Sequence, residues 1–209
     1  MRALPCGFFA LVLLAMSGPA ALAMETGEGS FLPAKMAAPV PEGAAGLCAT
    51  YRWACAGKTS DAELTPQMLT IVMQVNAASN AAIQPVTDRD QYGVQELWAL
   101  PGPGGGDCED YALFKKRALI EAGVSPHRLL MAVVLDRRDE PHAVLILRTD
   151  LGDYVLDNVT NRILPWNQTG YTFVSKQNPD NPSRWVAVFE RGSAPKLAFD
   201  DMQTGILGR

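Results

Sequence analysis

Gly106-Asp107-Cys108-Glu109-Asp110-Tyr111-Ala112 is the stretch on which the reading of this chain turns. Before it, Pro101-Gly-Pro-Gly-Gly-Gly106 cannot be regular structure. After it, Tyr111, Ala112, Ala118, Leu119 and Ala122 form an apolar stripe, acidic residues crowd the first turn, and Gly123 is placed to end it. These are helix signals from about 107 to 122. A cysteine thus stands in a helix's first turn, where unpaired backbone N–H groups and the helix dipole favour a thiolate. The glycines permit unusual dihedrals and close backbone approach to a substrate. The pattern reads as an activated nucleophile, with a small buried hydrophobe at a helix start as the competing reading.

Upstream, Thr65-Pro66 starts a helix that runs to about Ala82, with Met68, Leu69, Val72, Met73 and Val75 at helical spacing. A short helical stretch is expected over Val94 to Leu100. Downstream the pattern changes to strands: Leu129–Leu135, Ala143–Leu147, Tyr154–Leu156, Tyr171–Val174 and Trp185–Phe189. Adjacent strands joined by tight turns, one at Leu151-Gly-Asp153, predict an antiparallel sheet. Helices first and a sheet after them make an α+β domain.

The N-terminus predicts export. Arg2 precedes an apolar core, Gly7 to Met16, and Ala21-Leu22-Ala23 has the form of a signal-peptidase site. Such a core, about ten residues, falls short of the roughly 20 that span a bilayer. Residues 1–23 are therefore expected to be a cleaved signal peptide, leaving no membrane span in the mature, periplasmic chain. Residues 24–46 read as an extended lead-in, 47–190 as the domain, and 191–209 as a C-terminal tail. The net charge of −4 and the absence of a basic, aromatic-interleaved stretch give nucleic-acid binding no support. Losing Cys6 with the leader leaves Cys48, Cys55 and Cys108, an odd number in an oxidising compartment. A Cys48–Cys55 disulfide with Cys108 free is the favoured pairing; a bridge involving Cys108 is the alternative.

A nucleophilic thiol needs a base, and the chain has two histidines. His127 lies in a surface turn, whereas His142 opens an apolar strand and is the better candidate. Asp157, ending the next strand, would orient the imidazole. Asp153, within the turn, competes for that role, and the strand register that decides between them is open.

Taken together, Gly106–Ala112, His142-Ala-Val-Leu145, Val155-Leu-Asp157-Asn158 and Trp98 upstream of the glycines resemble the bacterial transglutaminase-like cysteine proteinases over roughly residues 47–190. The resemblance implies a papain-like, transglutaminase-like core in which the helix bearing the nucleophile packs on the sheet carrying His142 and Asp157. It implies an exported cysteine peptidase with a Cys108–His142–Asp157 triad, acting on a protein substrate of the cell envelope or surface, an adhesin among them. It also implies calcium, held by Asp107, Glu109 and Asp110, for which hard oxygen ligands are suited. Capping of the helix by the same residues is the other reading. A dication would offset the upward pressure of three carboxylates on the thiol pKa. The oxyanion would be held by the Cys108 N–H, with Trp98 as a second candidate. Amide transfer to an amine and a non-catalytic binding module are the rival functions.

Overall fold

The computed structural model describes residues 31–60 and 63–192. The expected signal peptide and the tail from residue 193 lie outside the described residues. The chain forms an α+β fold, with helices α1 (Leu47–Thr50), α2 (Pro66–Ala82), α3 (Asp88–Tyr92) and α4 (Cys108–Glu121). The strands are β1 (Met36–Ala38), β2 (Leu129–Leu135), β3 (Pro141–Arg148), β4 (Asp153–Leu156), β5 (Leu164–Pro165), β6 (Thr172–Gln177) and β7 (Trp185–Arg191). They make one antiparallel sheet in the spatial order β1-β7-β6-β2-β3-β4-β5.

β2 and β3 are apolar at nearly every position because both of their faces are covered. On one face, Leu113 and Leu119 of α4 join Leu129, Met131, Leu145 and Leu147 in a core. On the other, Leu130, Val134 and Ile146 pack with Leu32, Trp166 and Phe173. The ends of α4 follow local rules. Gly123 (φ 99°) donates to the Ile120 carbonyl at 2.9 Å and Val124 to the Leu119 carbonyl at 2.9 Å, a Schellman closure that stops the helix where the chain turns into β2. α2 starts as expected, with the Thr65 hydroxyl accepting the Met68 N–H at 3.2 Å and Pro66 in the first turn.

Three expectations change. The helix expected over 94–100 is absent. The N–H groups of Trp98, Ala99 and Leu100 go instead to the Gly43 carbonyl, the Asp110 carboxylate and the Tyr51 hydroxyl, so this segment is held by distant parts of the chain. The helix lies earlier, at α3, capped by Thr87, whose hydroxyl accepts the Asp90 N–H at 3.2 Å, and ended by Gly93 at φ 70°. Second, the lead-in is part of the domain wherever it is described: β1 pairs with β7, and Leu32 is buried. Third, the glycine run serves packing inside the chain. Gly105 (φ 123°) and Gly106 run against Gln84–Val86, and a Cβ on Gly105 would overlap the Gln84 carbonyl.

Leu32 is fixed at both its backbone groups. Its N–H donates to Asp153 Oδ2 at 2.9 Å, and Lys176 Nζ donates to its carbonyl at 3.0 Å. Asp153, fully buried, also takes Arg148 Nε at 3.1 Å and lies 3.7 Å from Lys176 Nζ. This carboxylate is thus committed to structure and not to His142. Removing it strands a buried ammonium, so Asp153→Ala is expected to cost about 3–5 kcal/mol of unfolding free energy in urea titrations. A loss below about 1 kcal/mol would show that the network does not hold the N-terminal segment.

Candidate active site

Cys108 is the first residue of α4, and its sulfur accepts the Ala143 backbone N–H at 3.3 Å. That bond places the thiol beside the start of β3, next to His142. His142 Nε2 meets Asp157 Oδ1 at 3.0 Å, and both side chains are largely buried. The pairing of Leu145 with Leu156 continues to place Asp157 opposite Val144, so Asp157 shares a sheet face with His142 as a diagonal neighbour. Cys108 and His142 line one cavity of about 610 Å³ together with Ala143, Trp98, Asp107 and Glu109. The rival His127 falls in a 3₁₀ turn, Pro126–Arg128, with Nδ1 2.8 Å from the Ser125 hydroxyl, and does not line this cavity.

Asp157 is held by more than the histidine. Its Oδ2 accepts the Tyr171 hydroxyl at 2.5 Å and its Oδ1 the Val159 N–H at 3.1 Å. Burial pushes its pKa up, but the hydrogen bond and charge of His142, with the Tyr171 and Val159 bonds, outweigh that and hold the carboxyl below its usual range. The Tyr171 ring also packs edge-on against the imidazole, centroids 5.7 Å apart at 85°. Tyr171 therefore fixes both members of the pair. Its place at the start of an expected strand gave no sequence signal of this.

The other flank of the thiol is acidic. Carboxylate oxygens of Asp88, Asp107 and Glu109 lie within 4.8 Å of one another. Asp110, expected in this cluster, is not one of these three: its Oδ1 accepts the Ala99 N–H at 2.9 Å, while its Oδ2 is buried without a hydrogen-bond partner. Asp88 takes its place, brought in by the Asp88 N–H donating to Asp107 Oδ2 at 3.2 Å. With its side chain so used, Asp107 does not cap α4. Burial and the charge of Asp107 push Glu109 up to about 9, and burial pushes Asp110 up to about 7. Burial also pushes the Cys108 thiol far above its usual value, and the Glu109 carboxylate, 3.2 Å away, adds to this; only the Ala143 N–H acts the other way. Trp98 is buried, and its indole N–H is donated to Glu96 Oε1 at 3.1 Å, so it is not free to hold an oxyanion.

The sequence model for the bacterial transglutaminase-like cysteine proteinases matches residues 34–193. The chain belongs to this family. A bacterial transglutaminase-like cysteine proteinase is a cysteine peptidase, and the antiparallel sheet with its packed helices agrees with that assignment. Among solved structures, calcium-bound LapG of Legionella pneumophila is similar at 22% identity and a TM-score of 0.50, over 69% of this chain and 82% of that one. EGTA-treated LapG of the same organism matches at 23% identity and a TM-score of 0.48, over 69% and 81%. No curated protein matches the chain. The match begins at residue 34, in agreement with β1 being part of the domain of this proteinase. No helix among the described residues is long and apolar enough to cross a membrane.

The acidic flank fits a hard cation. Asp107 Oδ1 and Glu109 Oε1 are buried without hydrogen-bond partners, and three carboxylates converge there. Without a cation, Glu109 is protonated more readily folded than unfolded. Its contribution to stability is full below about pH 4 and is lost as the pH rises toward 9. In EDTA, wild-type proteinase is therefore expected to lose Tm relative to Glu109→Gln as the pH goes from 5 to 9. A difference between the two melting curves that stays constant with pH would contradict the buried-carboxylate picture.

Proposed function

We propose that this proteinase is exported to the periplasm and cleaves peptide bonds with Cys108 as nucleophile, His142 as acid and base, and Asp157 as the residue that orients His142. The observation carrying this reading is the pairing of two contacts at one cavity wall: Ala143 N–H on the Cys108 sulfur and His142 on Asp157. Asp157 engages Nε2, so Nδ1 is the imidazole nitrogen left for the thiol. His142 takes the thiol proton, and the thiolate adds to the substrate carbonyl carbon, forming a C–S bond. The oxyanion is stabilised by backbone N–H at the start of α4, where the helix dipole assists. Collapse breaks the C–N bond, and His142 gives its proton to the departing amine. His142 then deprotonates a water that attacks the thioester, releasing the acid and restoring the thiol.

Asp88, Asp107 and Glu109 would hold a calcium ion, which supplies positive charge beside the sulfur when bound. Support for calcium comes from the unpartnered oxygens of Asp107 and Glu109 and from the calcium-bound form of the similar LapG. The substrate in this reading is a protein of the envelope or cell surface, such as an adhesin, reached after export.

The reading is tested on an extract of bacterial envelope proteins, analysed by gel with wild type, Cys108→Ala, Asp157→Asn and EGTA-treated enzyme. Wild type is expected to remove specific bands and Cys108→Ala none, while Asp157→Asn slows cleavage by about 10²–10⁴. EGTA is expected to stop cleavage and added calcium to restore it. Identical gels for wild type and Cys108→Ala would overturn the peptidase mechanism, and cleavage indifferent to EGTA would remove calcium from it.

A further inference from the structure

We propose that a second cavity, beside the cleft and away from the thiol, is a substrate subsite that takes an apolar side chain of an extended polypeptide. This rests on the peptidase reading and adds to it the way the substrate is held. The cavity, about 430 Å³, lies where β1 meets the chain leading into β7, and Ala38, Val40, Arg184, Trp185 and Val186 line it. It adjoins the cleft in two ways. Val40 lines the second cavity while its neighbour Pro41 lines the first. Trp98 of the cleft and Trp185 of the second cavity are packed edge to face, centroids 5.6 Å apart, as a shared floor.

The occupant follows from what borders this floor. β1 is the last strand of the sheet on its side, so among the described residues its outer backbone edge has no strand partner. An extended peptide can add to such an edge by main-chain hydrogen bonds, with alternate side chains reaching adjacent pockets. A peptide leaving the thiol passes Pro41 and Glu42 before it reaches Val40. Val40 is 43% exposed and forms the apolar lip that such an anchor would cover.

Charge gives the path a direction. The cleft end carries Glu42 and Glu96, whereas the far end carries Arg184, which is exposed and in no ion pair among the described residues. A substrate with an acidic residue just beyond its apolar anchor matches this order. The cleft's own acidic wall would repel that residue, so the match also sets the register.

The test is a random-sequence synthetic decapeptide library, with cut sites read by mass spectrometry for wild type, Val40→Asp and Arg184→Glu. Wild type is expected to enrich an apolar residue at one fixed position outside the cleft, with an acidic residue next on the side away from the cut. Val40→Asp should erase the apolar preference and lower kcat/KM on a preferred peptide about tenfold, chiefly through KM. Arg184→Glu, on the surface, should erase only the acidic preference. Far-UV circular dichroism and the melting temperature, which need no peptide, check that each variant is folded. If wild type cuts the library but the variants keep its preferences and kcat/KM, the subsite is wrong and the peptidase reading stands. If wild type, like Cys108→Ala, cuts nothing, the peptidase reading fails and takes the subsite with it. A preference that appears only after removal of residues 193–209 assigns the groove to the chain's own tail and overturns the proposal.

Discussion

The bond from the Ala143 N–H to the Cys108 sulfur, 3.3 Å long, joins the start of α4 to the start of β3, and most of the architecture bears on it. Leu113 and Leu119 seat α4 on the face of the sheet that carries Leu145. Gly105 and Gly106 lay the incoming loop against Gln84–Val86, which sets where the helix begins. A larger side chain at 105 would meet the Gln84 carbonyl. His142 comes to the same cavity because it immediately precedes Ala143 on β3, at an end where the strand opens to solvent.

The site contains a conflict of charge. A helix N-terminus carries roughly half a positive charge, while Asp88, Asp107 and Glu109 gather on the same side of the sulfur. Burial disfavours the charged forms of Asp107, Glu109 and the thiol, and all three are driven up. On the far side the balance is reversed: Tyr171, Val159 and His142 surround Asp157 with donors and keep it ionised. The imidazole thus lies between a carboxylate that is fully provided for and a thiol that is not. A cation on the acidic flank is the simplest way to even this out, which is why the calcium proposal and the catalytic proposal stand together.

Much of this could be read from the sequence, and the failures share a cause. α4, its Gly123 end, the Cys48–Cys55 pairing and strands β2, β3, β4, β6 and β7 follow from local patterns, and the structure has all of them. Asp157 was separable from Asp153 only through register, which the Leu145–Leu156 pairing supplies. Asp88 and Tyr171 were missed because they reach the site through contacts distant in the chain, at Asp107 and Asp157. Asp110 lies outside the group of three because adjacent positions on a helix point about 100° apart; its Oδ1 takes the Ala99 N–H, while its Oδ2 is buried without a partner. Residues 94–100 have a helical composition, yet their N–H groups are claimed from outside. Local propensity lost to tertiary hydrogen bonds there.

The most direct test of the account is the rate of Cys108 carboxymethylation against pH, followed by intact mass, in calcium and in EGTA, for wild type and His142→Ala. With calcium, wild type is expected to react as a thiolate well below the ordinary thiol range of about 8.5. In EGTA that reactivity should move above this range, in line with the burial and carboxylate pressure on the sulfur. In His142→Ala the low-pH reactivity should be lost even in calcium. A profile that is the same in all four samples would contradict the claim that Cys108, His142 and the acidic flank act as one site.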